Sequence, residues 1–204
     1  AMKHLAKLHA EALEDLAVIY KSMLRNVTVP MQQLLNVLVT LAKKIAGFKC
    51  IALMPSIFRI FSYLTNPMLR EWDLKVAHKD EDLLDTAAPN TSARRSAIRR
   101  QLEAEVAYWN EVPVLQLLWD ISGFFDHIDL VQVGTEALAL GFPADLLAIF
   151  LTMHCAPRTL RVGEAFSAVM EAIARNILMG CTSSTRLARA SVHRSLKLTR
   201  DTVS

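Results

Sequence analysis

The run Trp119-Asp120-Ile121-Ser122-Gly123-Phe124-Phe125-Asp126-His127-Ile128 carries the most suggestive chemistry in this chain. It follows Val114-Leu115-Gln116-Leu117-Leu118, a nearly all-apolar stretch after Pro113 that reads as a buried strand. Asp120 then sits at the C-terminal end of that strand. Burying a carboxylate alone costs several kcal/mol, so Asp120 needs a partner. Two partners suit it. Asp120 either caps the following turn or binds a hard divalent cation such as Mg²⁺, which takes aspartate oxygen and keeps other positions for water and phosphate.

Other groupings are weaker. Lys43-Lys44 reads as a basic turn, and Lys79-Asp80-Glu81-Asp82 as part of a solvated loop over Ala77 to Asn90. Cys50, Cys155 and Cys181 are far apart, and no Cys or His pair has zinc-like spacing. A reducing, intracellular compartment is the default for such cysteine usage.

The elements that must position these residues follow from periodicity and punctuation. Leu5, Leu8, Leu13, Leu16 and Ile19 mark an amphipathic helix running to about Arg25. Val37 to Leu41 and Cys50 to Leu53 read as strands around the Lys43-Lys44 turn and Gly47. Pro55 opens a helix over Ser56 to Leu64, Asn66-Pro67 interrupts, and a second helix covers Met68 to Val76. Thr91 or Ser92 caps a charged helix that ends near Asn110. Helices are expected over Leu130 to Leu140, closed by Gly141, and over Pro143 to His154. Thr159 to Val162 reads as a strand that turns at Gly163. Phe166 to Leu178 fits strand or helix, and a basic-ended helix runs from Thr182 to about Leu198.

Bulk properties bound the reading. With 204 residues, 52% hydrophobic and 21% charged, the chain is neither a disordered tail nor a low-complexity segment. A net charge of +3 permits nucleic-acid binding without requiring it. The longest uncharged run, between Arg25 and Lys43, contains Asn26, Pro30, Gln32, Gln33 and Asn36, so no membrane partner is expected.

Taken in order, several stretches resemble the reverse transcriptases of the non-LTR retrotransposon and group II intron branch. The Asp120 segment is similar to their motif A, D-x-x-x-x-[FY]-D-x-[IV]. Lys43 to Pro55 looks like the fingers pattern K-K-x-G-G-x-R-P-I-A-L-x-P, and Ile57-Phe58-Arg59-Ile60 continues it like Y-R-[IL]. Leu140-Gly141-Phe142-Pro143 resembles L-G-[FI]-P, and Arg158 to Gly163 resembles the R-x-[VL]-x-x-G hairpin. Asn176 to Ser184 looks like motif B, G-[IV]-x-Q-G-x-x-x-S-P. The departures include Lys49 for Arg, Cys50 for Pro, Asn176 for Gly, Met179 for Gln and Thr185 for Pro. Lys49 keeps a point charge for phosphate but loses the bidentate fork, and Met179 puts the usual glutamine contact in doubt.

The resemblance implies RNA-directed DNA synthesis by two-metal phosphoryl transfer. Asp120 and the Ile121 carbonyl would hold Mg²⁺, and Phe125 would be the gate against a ribose 2′-OH. Lys49 and Gly180 would meet the incoming nucleotide, while Lys43, Lys44 and Arg59 would steady the template backbone. RNA template, DNA primer and deoxynucleoside triphosphates are the implied partners, and a retrotransposon product would be nuclear. No aromatic-x-Asp-Asp occurs in the sequence, so the family's motif C is absent and the metal site incomplete. The chain is therefore expected to be inactive alone, and to self-associate through apolar surface left by truncation. The implied fold is α+β: a helix-rich, partial fingers–palm with a small antiparallel sheet. It divides into an N-terminal helical extension (1–30), a fingers-like region (31–112) and a partial palm (113–204). The alternatives are a non-enzymatic retroelement remnant and a helical interaction or RNA-binding module.

Overall fold

The computed structural model describes residues 7–42, 47–77, 92–115, 121–171 and 173–203. Among them are helices α1 (Ala10–Asn26), α2 (Ser56–Leu64), α3 (Asn66–Ala77), α4 (Ala93–Trp109), α5 (Phe124–His127), α6 (Leu130–Ala139), α7 (Ala144–Cys155) and α8 (Ser184–Val203). The strands are β1 (Asn36–Ala42), β2 (Phe48–Leu53), β3 (Arg158–Val162) and β4 (Ala165–Phe166).

The helices begin and end where local chemistry dictates. The Asp129 Oδ1 accepts from the Val131 and Gln132 amides at 2.9 and 3.0 Å, satisfying two otherwise orphaned donors at the start of α6. Gly141, at φ +76°, closes the turn after α6, and Pro143 precedes the first residue of α7. Ser92, rather than Thr91, caps α4 through the Arg95 amide. In α2 the buried residues Phe58, Phe61 and Ser62 follow the three- and four-residue spacing of a single face.

One core joins these elements. Phe58, Phe61 and Phe150 pack with centroid separations of 6.1 to 6.4 Å, with Leu69, Ile149 and Met153 fully buried around them. Met23 of α1 belongs to the same core, and the Tyr20 hydroxyl donates to the Ile57 carbonyl at 3.1 Å. Gly134 lets α6 approach α7, since a Cβ there would meet a Leu151 methyl at 3.0 Å. Across the core, Asp73 of α3 pairs with Arg186 and Arg189 of α8 at 2.7 and 2.8 Å.

The architecture is α+β and helix-rich, but the sheet is mixed rather than antiparallel. Its strand order is β2-β1-β3-β4, with β1 parallel to β3 and both other pairs antiparallel. A parallel pair needs a long crossover, and the chain from β2 through α7 supplies it. Strand β3 has β1 on one edge and β4 on the other, and Arg158 bridges to Met170. Val114 and Leu115 are exposed and irregular, and residues 116–120 lie outside the described set, as does the expected loop from residue 78 to Asn90. Phe166 to Leu178 is neither helix nor continuous strand; it runs as isolated bridges at Met170 and Arg175. No helix among the described residues is long and apolar enough to cross a membrane.

Candidate nucleic-acid interface

Three stretches singled out separately in the sequence meet around the turn that carries Gly180. The first is β2. The Ala52 amide donates to the Met179 carbonyl at 2.8 Å, so the turn docks on the outer edge of this edge strand. Gly180 adopts φ +109°, and a Cβ there would lie 2.9 Å from the Ala52 carbonyl oxygen and 3.5 Å from a methyl of Ile51. Only glycine allows this backbone approach without displacement. Lys49 is exposed two residues before Ile51 and, by strand alternation, on the same face.

The second stretch is the segment after Asp120. The Phe125 carbonyl accepts from the Ile177 amide at 2.9 Å, and the Ile128 carbonyl accepts from the Asn176 amide at 3.0 Å. Asn176, itself at φ +86°, donates through its side chain to Asp126 at 2.8 Å. Asparagine tolerates that left-handed backbone better than most residues. Phe125 is half-buried, packed edge-on against Phe124 with centroids 5.7 Å apart. Ile121 is exposed.

The third is α2. Arg59, Ser62 and Tyr63 form one wall of an open cleft of about 290 Å³, and Gly180 and Thr182 form the opposite wall over Met54. Ser62 has a buried hydroxyl with no hydrogen-bond partner among the described residues. The cleft thus offers an exposed guanidinium and hydroxyls beside a backbone stripped of side chain, a combination suited to phosphate and sugar.

A buried network that spacing did not signal fixes this turn. His154 of α7 is fully buried, and its Nδ1 accepts from the Leu178 amide at 3.0 Å. The proton therefore resides on Nε2, which faces the Ser183 hydroxyl at 3.4 Å. Burial, reinforced by the nearby Arg158 guanidinium, lowers the His154 pKa to about 3, so the ring is neutral. Ser184 donates to the Leu178 carbonyl, and Ser183 lies 2.9 Å from the Cys181 sulfur. Arg158 donates to the carbonyls of His154 and Asn176 at 2.6 and 3.0 Å, tying α7 to the segment before Gly180. Among the six scattered histidines nothing in the sequence distinguished His154, because its partners lie 24 and 29 residues away.

The structure brings Gly180 and Arg59 to one cleft, sets the end of β2 beside it, and joins Phe125 to the segment before Gly180, while Lys49 is exposed on β2 and does not line the cleft. Asp120, Lys43 and Lys44 lie outside the described residues. Among the described residues no group of three Asp, Glu, His or Cys side chains could hold a metal ion. The two nearest described aspartates in sequence are already engaged, Asp126 with Asn176 and Asp129 with the start of α6. The sequence matches no protein-family model and no curated protein.

Proposed function

We propose that this chain is the fingers and palm portion of a reverse-transcriptase-like domain, whose parent activity is RNA-templated DNA synthesis. The observation that supports this most is the convergence on Gly180. The fingers-like strand bonds to the turn at Ala52, the segment after Asp120 bonds to it through Phe125, and Arg59 faces it across the cleft. A polymerase needs the same grouping, because template, nucleotide and metal must meet within one site.

In this reading Arg59, with Lys43 and Lys44, steadies the template backbone, and Lys49 meets the triphosphate. Gly180 leaves room for the nascent pair, and Phe125 limits the sugar to the deoxy form. Asp120 and the Ile121 carbonyl are the candidate ligands for Mg²⁺, which when bound would polarise the reacting phosphate and favour the 3′ oxygen as nucleophile. The 204-residue sequence lacks an aromatic-x-Asp-Asp, so this polypeptide alone is expected to bind without extending a primer.

The test is binding to a DNA-primed RNA template by fluorescence anisotropy across a salt series. Affinity should fall with salt, and Arg59→Ala should weaken binding and lower the salt slope by about one charge. Mg²⁺ with the complementary deoxynucleotide should tighten the complex, and Asp120→Asn should remove that tightening. No binding, or binding indifferent to Arg59, would refute the reading. Met179, where the resembling family has glutamine, favours a second reading, a non-enzymatic RNA-binding remnant. It is selected if the salt and Arg59 effects appear but nucleotide and Mg²⁺ change nothing.

A further inference from the structure

Helix α4 is an outlier in this fold. It has 17 residues, and none is buried. Its apolar stripe of Ile98, Leu102 and Val106 is 50%, 55% and 59% exposed. Val112 folds back over the end of the stripe, where its amide donates to the Ala107 carbonyl at 2.9 Å, and completes a shallow apolar groove. Three apolar residues at four-residue spacing on one exposed face are what a helix presents to another helix.

The charges on α4 are segregated along its length. Arg94, Arg95, Arg99 and Arg100 occupy the first half, and Glu103 and Glu105 the second, with Glu111 just beyond. Leu102 lies near the boundary between the halves. The Arg99–Glu103 pair, at 2.7 Å, lies at this boundary.

We infer that α4 is a self-association surface, and that its occupant is α4 of a second copy running antiparallel. Antiparallel stacking about Leu102 buries both apolar stripes and lays the arginine half of each helix beside the glutamate half of the other. Parallel stacking would set arginine against arginine and glutamate against glutamate. The charge order thus selects both the partner, a copy of the same helix, and its direction. A twofold axis through Leu102 closes the pair without propagating it.

The full chain should pass from monomer to dimer in sedimentation equilibrium between about 1 µM and about 1 mM, the range for an interface at the small end of specific size. Leu102→Glu should weaken the dimer by about tenfold or more, since it removes the central leucine and juxtaposes two carboxylates. Two double variants then test the charge complementarity of the two faces. Arg95→Glu with Arg99→Glu makes the helix mainly acidic, and Glu103→Arg with Glu105→Arg makes it basic. Each alone should be monomeric, and an equimolar mixture should dimerise. All these positions are exposed, and unchanged far-ultraviolet circular dichroism would show that the variants still fold. A wild-type chain that stays monomeric overturns the inference, whatever else α4 then binds. So does a dimer indifferent to Leu102→Glu, or a mixture that stays monomeric.

Discussion

The carbonyl oxygen of Ala52 lies 2.9 Å from where any Cβ on residue 180 would sit, while the Ala52 amide holds the neighbouring Met179 carbonyl at 2.8 Å. Strand β2 and the turn before α8 are therefore locked backbone to backbone. Gly180→Ala has to displace that contact and adopt a φ near +109°. Destabilisation of about 1 to 3 kcal/mol is expected. Urea unfolding checks this, and a change under about 0.5 kcal/mol, the size of an ordinary surface substitution, would mean that the contact relaxes freely.

His154 gives the stability a defined pH dependence. Its folded pKa is about 3 against an ordinary 6.5, so between those values the unfolded chain binds a proton that the folded chain refuses. The contribution is fully present above 6.5 and is lost as pH falls towards 3, by up to about 1.4 kcal/mol per pH unit. Denaturant unfolding from pH 7 to pH 4.5 should show this slope. Imidazole NMR signals should show one histidine that does not titrate above pH 5, and a set of histidines all titrating near 6.5 would contradict the network.

Asp73 is the counter-ion of two arginines, with side chains 4% exposed for Asp73, 13% for Arg186 and 3% for Arg189. Asp73→Asn removes the buried charge that pairs with Arg186 and Arg189 and should cost about 3 to 5 kcal/mol. The exposed Arg161–Glu164 pair is a control of similar length, 2.9 Å, with Glu164 94% exposed. Glu164→Gln should change stability by about 0.5 kcal/mol or less. Thermal melts of both variants decide, and equal effects would mean that burial does not govern these pairs.

Much of this protein was settled locally. Asp129, Gly141 and Pro143 bound α6 and α7 because caps and breakers act within a turn of the residues that carry them. Likewise Phe58 and Phe61 had to share a helix face, since α-helical spacing alone puts them there. The sequence also marked Gly180, Arg59 and Phe125 as worth attention, through order and resemblance. Which strands pair was decided only in three dimensions. The β-favouring residues of Val37 to Leu41 and of Thr159 to Val162 say that each is extended, but not that they lie side by side in parallel. The same holds for His154, whose partners Leu178 and Ser183 are brought to it by the packing of α7. Periodicity reports the environment of a residue over a few positions, whereas pairing across the chain depends on every element between. Arg59 and Gly180 were therefore legible one at a time, while Ser62, Tyr63 and Thr182, and the meeting of all of them in one cleft, belong to the tertiary fold.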